Sequence, residues 1–337
     1  MSKEITYHFF KSDLFVVLDV LGKEKAVDAL KKMLLIRHFE TRAESAYQMG
    51  KIGGFFHAYT GQEAIQTAAT MALDPKDWYT TTYRCHALAL LLGVTCDSAM
   101  AELYGKRTGN AMGRGGSMHL FSDRLLGGDG IVGGHLPIAT GAAFSNKYKK
   151  LKQVSICFLG DGAVPQGAVH ESLNLASLWN LPAIYVVENN QFGMGTKVSR
   201  ALAAQPIAER LAVSYGMDSY TVDGMNFFDC YALFEKLRNQ VIQTSRPVIV
   251  EAVTERFKGH SISDPGLYRT KEELECAMKK DPIPFVFHAI KERGWMNQNE
   301  FDELSNSQKE LVIKAMQFAD SSLEPDLMTL EQDVFAP

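Results

Sequence analysis

Apolar and polar positions change period several times along the chain, and each change marks an element. From about Ala26 to Met49, apolar residues such as Val27, Leu30 and Leu34 recur at helical spacing, and the pattern stops at Gly50 and the Gly53-Gly54 pair. It predicts a first long helix. A short aromatic connection, Phe55-Phe56-His57-Ala58-Tyr59, leads into a second helical pattern, GQEAIQTAATMAL, that ends before Asp74-Pro75. From Gly105 to Gly141 the sequence becomes glycine-dense, which favours turns and close backbone approach, so a long functional loop is expected there.

The middle of the chain alternates more regularly. VSICFLG (154–160) reads as a buried strand, QGAVHESLNLASLWN as an amphipathic helix closed at Leu181-Pro182, and AIYVVEN (183–189) as a second strand. Strand, helix and strand at this spacing predict a βαβ unit with parallel strands. The pattern recurs in part with a helix around Phe227 to Thr244 and a strand PVIVEAV (247–253). The expected fold class is therefore α/β, a mostly parallel sheet with helices on both faces. Thr270 with Glu273 forms a capping-box sequence, and further helices are expected after Pro282 and Asn297. Residues 1–25 are expected to be an N-terminal extension, and 26–337 one domain with a helical C-terminal part.

Composition narrows the function class without selecting one. With 337 residues, 46% of them hydrophobic, the chain can bury a substantial core. Its 35 basic and 39 acidic residues are intermixed and leave a net charge of -4, which gives no footprint for nucleic acid or an anionic membrane. The five cysteines are widely spaced and form no C-x-x-C pair, so neither a disulfide framework nor a zinc site is expected, and a reducing cytoplasm fits. No apolar run approaches the ~20 residues that span a bilayer. The first residues mix Lys3 with Glu4 and Asp13, and no signal or transit peptide is expected.

Candidate chemistry enters where the two middle strands end, because ligands of open α/β sheets bind beyond the carboxyl ends of the strands. Gly160-Asp161-Gly162 follows the first strand and Asn189-Asn190 closes the second. Neighbouring parallel strands lie about 4.8 Å apart, so an Asp161 carboxylate and an Asn190 amide oxygen can share one ion. These are oxygen donors suited to a hard cation, and magnesium takes few protein ligands and fills the rest from phosphate oxygens and water. A backbone carbonyl near Phe192 could complete the set. Gly160 and Gly162 permit close approach of the backbone to phosphates, and the helix starting near Gln166 directs its first amides to the same anion. Taken singly, Asp161 reads as a helix cap and the asparagines as a turn; their joint placement favours a metal and a diphosphate. A rival motif, Gly128-Asp129-Gly130-Ile131-Val132-Gly133, satisfies G-x-G-x-x-G. It is set aside as a dinucleotide site because FSDRLLG before it does not read as a buried strand and Pro137 follows it closely.

The segment from Gly160-Asp161-Gly162 to Asn189-Asn190 also resembles the thiamine diphosphate-binding motif. Together FFHAYTGQEA, TTYRCHA, MGRGGSMHL, GDGIVGGHLP, GDGAVPQG, ENNQFGMGT, VDGMN and RFKGHSISDP resemble the α subunits of the decarboxylating first component of 2-oxo acid dehydrogenase complexes, and within it the pyruvate branch. The resemblance covers nearly all of residues 26–330. It implies decarboxylation of pyruvate with thiamine diphosphate and Mg2+, transfer of the two-carbon unit to a lipoyl arm on an acyltransferase partner, and a β subunit in an α2β2 heterotetramer. Acetoin as substrate, or a non-catalytic scaffold subunit of the same fold, are the alternatives.

Residue by residue, the resemblance implies Asp161 and Asn190 as magnesium ligands with the Phe192 carbonyl, and Gly162 and Ala163 as backbone partners of the diphosphate. It places Tyr83, Arg84 and His260 along the diphosphate, Gly130 and Val132 against the pyrimidine ring, and His57 and His260 as catalytic groups near the reactive end. Arg84 independently offers the planar fork suited to phosphate, and an imidazole can donate a proton or hydrogen bond. The resemblance puts the glutamate that activates the cofactor on the β subunit, so this chain is expected to hold half of an active site. Two departures, the missing leader and the short SDPGLYRT loop, point to a bacterial, cytoplasmic protein.

Overall fold

In the computed structural model, which describes residues 5–329 and 331–332, the two apolar runs in the middle of the chain become adjacent parallel strands. The first four residues of the expected extension lie outside the described residues. The strands are β1 Phe9–Phe10, β2 Trp78–Thr82, β3 Leu125–Asp129, β4 Ser155–Gly160, β5 Ala183–Asn189, β6 Phe192–Gly193, β7 Thr196–Lys197, β8 Asp218–Asp223 and β9 Val248–Val253. Seven of them form one all-parallel sheet in the order β1-β8-β9-β5-β4-β2-β3, and β6 with β7 makes a short antiparallel hairpin.

The sheet is buried on both faces, as all-parallel sheets require. In β4, Ile156 and Phe158 join the core on one face, while Cys157 and Leu159 join a separate core on the other. The larger core takes the helices Leu14–Gln48, Glu63–Ala72 and Phe227–Thr244, with Pro282–Glu292 and Gln298–Ser321 packed outside them. The smaller core takes Leu136–Tyr148, Gly167–Leu178 and Ile207–Tyr215. The expected capping box of Thr270 with Glu273 is formed, and a second pairs Asn297 with Glu300.

Three local expectations change. The first helix begins at Leu14, capped by the Asp13 side chain, and Gly22 breaks it with φ 67° and ψ 170°. Phe9–Phe10 pairs in parallel with β8, and Val17, Leu18 and Leu21 are buried, so the early residues are packed onto the body. The glycine-dense stretch is not one loop. It contains edge strand β3, and Pro137 sits in the first turn of the Leu136–Tyr148 helix, where its missing N–H costs nothing. The Pro137 reason for setting aside the Gly128-to-Gly133 motif therefore fails, whereas the other stands: the strand before it lies at the sheet edge with only Leu125 buried.

Candidate functional site

The register aligns Gly160 at the end of β4 with Glu188 in β5, and Asn189 with Val253 at the end of β9. The residues that follow these strands, with those after β2 and β3, converge on one cavity of about 710 Å³. It is lined by all eleven residues expected from the sequence: His57, Tyr83, Arg84, Gly130, Val132, Asp161, Gly162, Ala163, Asn190, Phe192 and His260.

At its floor the chain turns from β4 into a single 3-10 turn, Asp161–Ala163. Asp161 is 2% exposed, its Oδ2 has no hydrogen-bond partner, and burial pushes its carboxyl up to about 6. A buried carboxylate oxygen left unpaired is costly unless a ligand satisfies it. The two asparagines divide their work. Asn189 faces the protein, donating to Glu251 and accepting from the Gln191 amide, whereas Asn190 lines the cavity, donates to Gln62 and accepts from the Phe192 amide at 3.3 Å. The β6–β7 hairpin approaches the Asp161 turn so closely that a Cβ on Gly162 would sit 3.0 Å from the Gly193 Cα. Backbone contact at that point is what the two glycines permit. Among the described residues no cluster of three or more His, Cys, Asp or Glu could hold a metal, so a cation at this floor would rely on one carboxylate, an amide, a carbonyl and non-protein oxygens.

The wall above is cationic. Arg84 is 5% exposed, gives one N–H to the Ala58 carbonyl at 2.8 Å and another to the His260 carbonyl, and is lowered to about 10, first by burial and then by Arg256. Arg256 is 2% exposed and donates to the Tyr268 hydroxyl and the carbonyls of Met194 and Lys258. Among the described residues, neither guanidinium has a carboxylate ion partner. Two desolvated cations facing a cavity, with no carboxylate in direct contact, suit an anion there.

His57 lies 4.3 Å from the Tyr83 ring and 5.1 Å, edge-on, from His260. Burial, then the Arg84 charge, lowers His57 to about 3 and His260 to about 4, so both rings are neutral near pH 7. The His260 loop is held by Asp264, which accepts from the His260 amide at 2.6 Å and the Tyr268 hydroxyl at 2.7 Å. Arg256 reaches this loop through Tyr268, while the Ser261 hydroxyl meets that of Ser263 and its carbonyl accepts the Asp264 amide at 3.0 Å.

The sequence reading missed Gln62, Glu188, His135 and Arg256 as lining residues. Burial pushes Glu188 up to about 7, and it accepts from the Tyr59 hydroxyl and from Gln66. Its place two residues before Asn190 was the only available signal. For Gln62 and His135 no spacing distinguishes a cavity-facing side chain from a core one.

A parallel sheet covered on both faces, with buried guanidiniums beside an unsatisfied carboxylate at its strand ends, defines an α/β protein with a polar ligand cavity at the carboxyl ends of its strands. More narrowly, the chain belongs to the dehydrogenase E1 component family, whose match covers residues 31–328. It is 40% identical over 315 residues to a Rickettsia bellii protein, covering 93% of this chain and 96% of that one. It is 42% identical over 316 residues to a Rhizobium meliloti protein (93% and 90%), and 39% identical over 325 residues to one from Porphyra purpurea (94% and 94%). Each relative is a pyruvate dehydrogenase E1 component subunit alpha.

Proposed function

We propose that the chain is the α subunit of a pyruvate-decarboxylating E1 component, holding thiamine diphosphate through Mg2+ in the cavity described above. The observation that carries this reading is the placing of two buried guanidiniums, neither in direct contact with a carboxylate, beside the unsatisfied Asp161 oxygen, which together suit an anion and a cation side by side. The family is thiamine diphosphate-dependent. The residues fit that group: Arg84 with the Gly162 and Ala163 amides takes the diphosphate, beside Tyr83 and His260, and Asp161, Asn190 and the Phe192 carbonyl take the metal. Gly130 and Val132 offer backbone atoms to the pyrimidine ring.

When bound, the cofactor supplies the electron sink that loss of CO2 from a 2-oxo acid requires. The chain's own share is to bind, orient and exclude water. Neutral His57 and His260 can each donate one hydrogen bond to the substrate carboxylate or to the incoming lipoyl group, and Arg84 raises the cost of protonating either ring. A β subunit completes the site in an α2β2 assembly, and a lipoyl-bearing acyltransferase accepts the two-carbon unit. Ile131 (73% exposed) and Val132 (42%) present apolar surface at the cavity rim, a feature that fits a protein partner there.

Co-purified with its β partner, the chain decarboxylates pyruvate in the presence of thiamine diphosphate and Mg2+ under this reading. Activity on acetoin alone would reject the substrate assignment. Asp161→Ala is expected to abolish metal-dependent cofactor binding in calorimetry, and retained affinity would overturn the ligand set.

A further inference from the structure

Beneath the cavity, outside the residues that line it, lies a buried polar chain that neither cofactor binding nor proton transfer uses. Glu40, in the Leu14–Gln48 helix, is 1% exposed; His86 is 0% and Ser117 is 3% exposed. Glu40 faces His86 Nδ1 at 3.0 Å and accepts the Tyr59 backbone N–H at 3.0 Å. On the other side of the ring, His86 Nε2 lies 2.8 Å from the Ser117 hydroxyl and 3.0 Å from its carbonyl. The contacts follow the order of a Ser-His-carboxylate triad, but none of the three lines the cavity and all are at most 3% exposed, so the group does not reach a substrate there. Instead it ties together three segments that each carry cavity residues: Phe55–Gln62 with His57, Tyr83–His86 with Arg84, and Gly116–His119 with Met118.

A buried carboxylate paired with a histidine is a poor way to gain stability, because well-packed apolar residues of the same volume serve as well or better. What it adds is direction. The carboxylate fixes the Tyr59 amide and the imidazole plane at once, and the ring in turn fixes Ser117. Resting on the site assignment above, we infer that Glu40, His86 and Ser117 are positioning residues that hold His57, Arg84 and Met118 in the geometry that receives the cofactor.

The test uses the chain reconstituted with its β partner and reads thiamine diphosphate affinity with Mg2+ beside the thermal midpoint. Glu40→Gln and Ser117→Ala are each expected to weaken cofactor binding about tenfold while the midpoint moves little, and the double variant to lose no more than the worse single, as for one network. Ser117→Ala removes a single oxygen and decides the matter if Glu40→Gln does not assemble. Unchanged affinity in Ser117→Ala, or losses that merely follow a falling midpoint, would overturn the positioning role. Asp161→Ala run in parallel separates the two ideas. If it removes binding while Ser117→Ala does not, only the positioning role falls; if Asp161→Ala itself binds normally, the site assignment falls and takes this inference with it.

Discussion

Arg84 shows why residue identity matters more than charge at this site. Its guanidinium is buried, spends N–H groups on the Ala58 and His260 carbonyls with a further 3.5 Å contact to His260 Nδ1, and lines the cavity. Lysine puts its three N–H donors on one nitrogen, without the guanidinium's spread of separate nitrogens over two carbonyls and an anion. Arg84→Lys is therefore expected to weaken diphosphate binding by about 2 kcal/mol, roughly thirtyfold, in calorimetry. The two histidines predict a pH dependence. Their folded values, about 3 and about 4, lie below the value near 6.5 of an unfolded imidazole, so the unfolded chain binds more protons in that window. Their contribution to stability is complete above about pH 6.5 and is lost as pH falls through about 4 for His260 and about 3 for His57. In the cofactor-free chain, NMR should find both rings unprotonated at pH 6, and His57→Gln should flatten the acid limb of a midpoint-against-pH curve. An unchanged limb would contradict the buried, cation-facing setting of His57.

At the scale of elements, the early segment belongs to the fold. Asp229, 2% exposed at the start of the Phe227–Thr244 helix, accepts the Ser12 amide and hydroxyl at 2.7 Å each and the Asn226 side chain at 2.9 Å. That contact holds β1 against β8. Asp229→Ala is expected to cost about 2 kcal/mol in urea unfolding, since it leaves donors without their acceptor, and to speed proteolysis before residue 14. Equal stability would mean that solvent replaces Asp229 without loss. The strand β3 illustrates the opposite difficulty. The glycines of Leu125 to Asp129 read as a loop, and it is pairing with β2, with bonds to the Leu120 carbonyl and the Ser122 amide, that gives this backbone its partners.

For the whole molecule, the cavity opens beside exposed apolar residues, and the proposed β subunit would cover them. Ile131→Asp is expected to leave the midpoint of the isolated chain within about 1 °C, because the side chain is 73% exposed, and to weaken association with the β partner about tenfold. Analytical ultracentrifugation of the mixed subunits checks this. Association as tight as in the wild type would remove this rim from the interface.

Much of this was readable along the chain. The runs VSICFLG and AIYVVEN are apolar throughout because both faces of a parallel sheet are covered, and so the strand ends bearing Asp161 and Asn190 could be located from sequence alone. The polar strands Trp78–Thr82 and Asp218–Asp223 carry no comparable run, and they went unseen. Sequence also carries donor types and order: an Asp, an Asn, an Arg, two His. What it does not carry is distance between segments far apart in the chain. Only tertiary packing set Arg256 beside Arg84 without a carboxylate, turned Asn190 inward and Asn189 outward, and laid Gly162 against Gly193. Local pattern determines which face of an element is buried; whether two elements leave a charge unanswered depends on what the rest of the fold brings next to it.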